Sequence, residues 1–321
     1  MSLFRAGSLW LFRLAGIDVY LHWTWLLVAV LQVQARAQAA EDGSWVLPLY
    51  QSGLWYALQY IALFGIVLVH EFGHALACRQ VGGWADTIVL WPLGGIAFVK
   101  PPPRPGALLW TVAAGPLVNV LLVPVLGALW LLANRFDGSD LGSDWNLFLR
   151  AIFFINLALL VFNLIPVYPL DGGQILQAAL WFLIGRADSL LVVSILGMIA
   201  GGLVMMISFL GSFYLLIVSA FVLLTATAGF RYGLMLSRLL RGPHHKDAAC
   251  PSCGFNPPVG NYWTCDECGT RFDTFSCRSQ CPGCGKLFRI TMCPECFQRH
   301  PIGEWFAAVE DNEDSHFYAP P

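Results

Sequence analysis

Long unbroken apolar stretches, rather than the alternating or one-faced patterns of water-soluble elements, fill the chain as far as about residue 240. Six of them are long enough to cross a bilayer as helices, at residues 17–34, 54–78, 107–133, 147–166, 190–210 and 213–236. Two segments break this pattern. Residues 86–100, DTIVLWPLGGIAFVK, hold two short β-prone pieces around Pro92 and the pair Gly94-Gly95, which reads as a hairpin or re-entrant loop. Non-helical backbone at membrane depth has to be covered by protein or face water, so this hairpin is expected to line a cavity. Residues 172–185 are expected to form a short helix along or dipping into the interface. The predicted fold class is an α-helical polytopic membrane protein with about six transmembrane helices and a small re-entrant β-hairpin.

Composition agrees with that class. The 321 residues are 57% hydrophobic and only 12% charged, with a mean hydropathy of +0.63, which excludes an ordinary soluble domain. The net charge of -2 matters less than where the charges fall. In the six-span reading Arg5, Arg13, Arg79, Lys100, Arg104, Arg186, Arg231, Arg238, Arg241 and Lys246 share one side, against Arg36 and Arg135 on the other. The positive-inside bias then places both termini in the cytoplasm, with the bilayer expected to be the cell membrane. No short apolar region followed by a small-residue cleavage site is evident at the start, so the first span is expected to stay as an anchor. After Pro243 the chain turns polar and holds nine of its ten cysteines. The expected organisation is a membrane core at 1–241, a linker at 242–249, a Cys-rich module at 250–300 and an acidic tail at 301–321.

The second apolar stretch ends in His70-Glu71-Phe72-Gly73-His74. HExxH on a helix puts two imidazoles one turn apart on one face, where both reach one Zn²⁺, and lets the Glu address a water beside it. Alone the pentapeptide is a weak signal. Inside a span, three ionisable groups on adjacent turns are costly unless they face a protein interior or water, and this favours a functional site over polar helix ties. A catalytic zinc needs a third protein ligand. Asp171, after the fourth span in NLIPVYPLDGG, reaches the same cytoplasmic depth in this topology and is the best supplier. Two neutral imidazoles and one carboxylate leave the site with about one positive charge.

At these residues the chain resembles the site-2 protease family of intramembrane zinc metalloproteases. The likeness covers most of residues 10–240 and rests on HEFGH at 70–74, GPLVN at 115–119 and NLIPVYPLDGG at 163–173, with WPLGG at 91–95 and GIDVYLHWTW at 16–25 also similar. It implies a zinc metalloendopeptidase that hydrolyses peptide bonds in or near transmembrane segments of membrane proteins, with His70, His74 and Asp171 as ligands and Glu71 as general base. Asn119 and Asn163 are candidates for holding the substrate backbone or the developing oxyanion, against a plain role in tying helices together. Other readings stay open: a catalytically inactive scaffold that works through its Cys-rich module, or a metal transporter. The scarcity of further ionisable residues along the spans argues against a through-path for ions. His22, Trp23, Trp25 and Cys78 read as interfacial or core residues without a chemical role.

The Cys-rich module contains four CxxC pairs, Cys250/Cys253, Cys265/Cys268, Cys281/Cys284 and Cys293/Cys296. Eight thiolates at this spacing suffice for two tetrahedral structural zinc ions, each closed to catalysis, in addition to the one in the membrane. Disulfides are the competing account, disfavoured in a reducing cytoplasm. Consecutive pairing of the four knuckles is the simplest connectivity, with an interleaved one open. Cys277 is left over, and His244, His245, His300 and His316 are spare. Acidic residues outnumber basic ones from 243 to 321, with Glu310, Asp311, Glu313 and Asp314 near the end, so nucleic acid is disfavoured and a cytoplasmic protein partner is expected.

Overall fold

The computed structural model describes residues 7–25, 50, 53–91, 94–136, 143–209, 213–296 and 298–307. The chain divides into two compact units, Met1–Phe230 and Arg231–Pro321.

In the first unit, strands β1 (Ser8–Leu14) and β2 (Ile17–His22) form an antiparallel hairpin closed by Ala15 and Gly16, whose φ values of 50° and 72° belong to a tight primed turn. The chain then enters helix α1 (Gly53–Gln80) and returns in β3 (Trp84–Trp91), which pairs parallel with β2, and β4 (Gly94–Lys100), antiparallel to β3. The sheet order is β1-β2-β3-β4, so β1 and β4 are its edges. Its inner face is apolar: Ile17, Val19, Ile88 and Leu90 pack on Val67, Phe72, Ala75 and Cys78 of α1. Arg79, in the last turn of α1, donates to the carbonyls of Ala15, Gly16 and Ala85 and so pins the hairpin turn and β3 to the helix end. Cys78 is a fully buried member of this core.

Helices α2 (Pro105–Phe136), α3 (Asp144–Leu164), α4 (Asp171–Ile184), α5 (Arg186–Ser208) and α6 (Phe213–Arg241) follow. Among the described residues five helices, all but α4, are long and apolar enough to cross a membrane. Leu121, Leu131, Ile199 and Leu224 point outward, the arrangement that lipid rather than water covers. The chain is an integral membrane protein. One predicted span needs correction: the stretch 17–34 does not begin as a helix, because Ile17–His22 is strand β2. Its alternating Ile17, Val19 and Leu21 pack toward α1, and apolar content alone had hidden that period. The remainder of that stretch beyond Trp25 lies outside the described residues. The β-prone pieces at 86–100 do form an antiparallel pair, β3 and β4. Helix α4, at 14 residues, is too short to cross.

The second unit contains two small hairpins, β5 (Trp263–Thr264) with β6 (Arg271–Phe272) and β7 (Ile290–Met292) with β8 (Arg299–Pro301). Ala248, Cys250, Phe275, Cys293 and Trp305 form one buried cluster, so this fold takes in residues that the sequence reading left to the linker 242–249 and the tail 301–321. The Trp305 carbonyl accepts from the Ala249 amide, joining those two ends. Glu310, Asp311, Glu313, Asp314 and His316 lie outside the described residues.

Candidate metal centres

His70 and His74 project from one face of α1, and both are buried together with Glu71. Each imidazole is oriented from behind by an oxygen. The Nδ1 of His74 is 2.9 Å from the Thr111 carbonyl, and the Nδ1 of His70 is 2.5 Å from Oδ1 of Asn119. Oxygen can only accept there, so each Nδ1 carries the proton and each Nε2 presents a lone pair. Those two Nε2 atoms lie 3.1 Å apart, and Oδ2 of Asp171 lies 3.1 Å from one and 3.4 Å from the other.

Three electron-rich atoms so close, with no proton between the two nitrogens, repel one another unless a cation sits among them. The spacing also has the right size. Tetrahedral zinc with bonds of about 2.0–2.1 Å to N and O has ligand–ligand edges of about 3.3–3.4 Å. The three groups therefore fit one face of a zinc tetrahedron, with the fourth corner free of protein ligands among the described residues.

Glycines make this convergence possible. A Cβ on Gly115 of α2 would run into Nε2 of His74 and come within 2.8 Å of Nε2 of His70, so only glycine lets α2 pass behind the cluster. Asp171 opens α4 after a turn whose carbonyls crowd the next two positions. A Cβ on Gly172 would strike the carbonyls of Leu164 and Ile165, and one on Gly173 the backbone of Val167 and Tyr168. Tyr168 is in turn seated against Gly197 of α5 and Gly229 of α6, which holds the loop carrying Asp171.

Glu71 is set beside the cluster by β4. Its Oε2 accepts from the Ala97 amide at 2.9 Å, and a Cβ on Gly95 would collide with its carboxyl group. Because β4 is an edge strand and Ala97 spends its amide on Glu71 rather than on β3, the open side of β4 is turned toward the carboxylate.

With this geometry in view, likeness to known proteins can be stated for the membrane unit. The model of peptidase family M50 matches residues 58–137 and 132–209, which include both histidines, Glu71 and Asp171. Residues 58–209 are similar to peptidase family M50. Zinc metalloprotease MJ0392 of Methanocaldococcus jannaschii is 32% identical over 173 residues, 54% of this chain and 45% of that one. Putative zinc metalloprotease sll0528 of Synechocystis sp. is 31% identical over 226 residues, 68% of this chain and 55% of its own length. The chain spans about half the length of the curated relatives it matches. A solved structure, the site-2 protease from Methanocaldococcus jannaschii, aligns at 27% identity and a TM-score of 0.49 over 70% of this chain and 95% of that one.

Asn119 and Asn163, the two candidate substrate contacts, are placed differently from each other. Asn119 uses both ends of its amide within the protein: Oδ1 faces His70, and Nδ2 donates to Oδ1 of Asn156 at 2.7 Å. Both ends of this fully buried amide are thus engaged within the protein. Asn163 is half-buried near the end of α3 and has no side-chain hydrogen bond to a described residue. Asn156, fully buried in α3, was missed, although an amide in the run FFINLALLV was the signal available. His22 bonds to Thr24, and Trp25 joins the apolar core, away from this chemistry.

In the second unit the eight cysteines gather in two groups of four, but not in the consecutive order. Cys250 and Cys253 meet Cys293 and Cys296, while Cys265 and Cys268 meet Cys281 and Cys284. One centre is nested inside the other. The Sγ–Sγ separations of 3.6 Å for Cys250–Cys296, 3.7 Å for Cys253–Cys293, 3.6 Å for Cys265–Cys284 and 3.5 Å for Cys268–Cys281 approach the edge of about 3.8 Å that Zn–S bonds of about 2.3 Å require. All four knuckles repeat one backbone bond, from the first Cys amide to a carbonyl five residues on, at Phe255, Thr270, Lys286 and Gln298. Gly254, Gly269 and Gly285 turn three of them with φ of 71°, 71° and 74°, which a side chain would strain. Cys277 stands outside both groups, against the core of the inner one. Among the spare histidines, His245 bonds to Asp273 and His300 to Ser252, and His244 packs edge-on against Phe255. Burial alone would raise the Asp273 carboxyl, but the Gly260 amide, the His245 ring and the Ser276 amide hold it below the ordinary range.

Proposed function

We propose that this chain is an intramembrane zinc endopeptidase acting on peptide bonds in or near the transmembrane segments of membrane proteins. The observation that carries this reading is the triangle of His70, His74 and Asp171, sized for zinc and open at one corner, with Glu71 beside it. The names of two relatives, both zinc metalloproteases, support the same class. Zn²⁺ held by the two imidazoles and the carboxylate supplies a Lewis acid for water and the scissile carbonyl. Glu71 takes the proton of the attacking water and returns it to the departing amine, with the Ala97 amide keeping one carboxylate oxygen in place. Asn119 and Thr111 orient the histidines, a role that replaces the oxyanion contact first expected of Asn119, and Asn163 is kept as a candidate substrate contact.

A helical substrate has its amides paired internally and must unwind to expose a carbonyl. The open side of β4, next to Glu71, suits a substrate strand that adds to the sheet edge, and β3–β4 would then be the re-entrant element that lines the active-site cavity. Both termini are assigned to the cytoplasm. The nested cysteine centres, each saturated, hold structural zinc and serve protein recognition rather than chemistry. Comparative membrane proteomics of cells carrying the wild type or Glu71→Gln tests the reading. A membrane protein that accumulates uncut only with the variant is the expected result, and identical profiles under all growth conditions would leave the scaffold reading in its place.

A further inference from the structure

The two histidines are oriented by unlike means. His74 leans directly on a main-chain carbonyl, that of Thr111, which can only accept. His70 leans on a side-chain amide, and an amide offers an acceptor at one end and a donor at the other. Turned end for end, the Asn119 amide would give an N–H to Nδ1 and force the His70 proton onto Nε2, where the metal lone pair is needed. Something has to fix the direction of that amide.

Asn156 does so. Its Nδ2 donates to the main-chain carbonyl of Asn119 at 3.0 Å, and that oxygen has no donor form. The remaining end of Asn156, Oδ1, must then face Asn119, where it accepts from Nδ2 at 2.7 Å. Asn119 is left with Oδ1 toward His70, so Nδ1 of the ring carries the proton. The direction of every bond in this chain follows from one peptide carbonyl. Both asparagines are fully buried, so no water can take over a broken link. We infer that Asn156 is a positioning residue of the metal site, acting through Asn119 to select the His70 tautomer whose Nε2 lone pair faces Asp171 and His74. The inference rests on the metal-site reading above.

The competing role is a plain tie between α2 and α3, which would affect stability and leave the ring untouched. Two readouts on detergent-purified full chain separate them. In metal-free protein, ¹⁵N NMR of the His70 ring should give one tautomer with Nδ1 protonated in the wild type, and a mixture in Asn156→Leu. Zinc competition titrations, with His70→Ala marking the contribution of the cysteine centres, should give membrane-site affinity about 10- to 100-fold weaker in Asn156→Leu. The cysteine centres should be unchanged. Asn156→Ala removes both ends of the amide without adding volume, and it should weaken zinc binding likewise if the leucine variant does not fold. A single His70 tautomer and wild-type zinc affinity in either folded variant would overturn the inference. A wild type that binds no more zinc than His70→Ala would instead remove the metal site, and the inference with it.

Discussion

The histidine–aspartate cluster and the nested cysteine clusters could each hold a metal ion, and they differ in what they leave free. In the membrane unit three side chains from two helices far apart in sequence gather with no fourth ligand among the described residues, and the Glu71 carboxylate lies close by. In the second unit two sets of four sulfurs close each tetrahedron, and local knuckles within a few residues of sequence supply them. The first arrangement is costly, since it gathers ionisable groups at membrane depth and needs Gly95, Gly115, Gly172 and Gly173 to let backbones approach. Such a cost is what the proposed chemistry at the open corner would account for. The second needs only a repeated turn and stabilises a small fold with little apolar core.

The largest contrast should come from Glu71→Gln. Peptide-bond cleavage by the purified protein should fall by about 10²- to 10⁴-fold, while bound zinc stays at the wild-type level. A loss of zinc along with activity would make Glu71 a ligand and break the distinction. Next is Gly115→Ala, whose methyl would enter the space between the imidazoles. It should remove zinc from the membrane centre and none from the cysteine centres, as read by metal analysis beside His70→Ala.

The nesting of the cysteine centres can be probed with the double variant Cys265→Ser/Cys284→Ser. Both residues belong to the inner centre, so the double change should cost one zinc ion, no more than either single change. Consecutive pairing would lose both. The smallest effect is expected from Asp273→Asn, which removes the carboxylate that holds His245 and the amides of Gly260, Phe275 and Ser276. Hydrogen exchange of the full chain under denaturant, read at the backbone around buried Phe275 and Trp305, should show a loss of about 1.5–3 kcal/mol at neutral pH. The sign with pH is fixed by the lowered pKa. The stability difference is full above the ordinary aspartate range and disappears as pH falls through the lowered value, because the carboxylate contributes only while ionised.

The parts of this architecture that rest on long apolar runs and on short ligand motifs were legible in the sequence. The helix bearing His70 and His74, the distant Asp171 and the four CxxC knuckles all fall in that class. The early strands were not, because six residues of mixed Ile17, Val19 and Leu21 with Asp18 and His22 were read together with the longer apolar stretch that follows, and the alternation and the Ala15-Gly16 turn are short signals. Knuckle pairing was hidden for a different reason: four nearly identical turns have no local preference for one another, and the partner is chosen by the core around Phe275 and Trp305. Asn156 was illegible because an amide in a membrane helix has the same sequence signature whether it ties helices or directs a histidine.

Zinc-edge anomalous diffraction from crystals of the full chain tests the central claim most directly. The account predicts a peak about 2.0–2.1 Å from Nε2 of His70, Nε2 of His74 and Oδ2 of Asp171, in addition to those at the cysteine centres. Peaks at the cysteine centres alone, with the two imidazoles and the carboxylate joined only by hydrogen bonds, would contradict it.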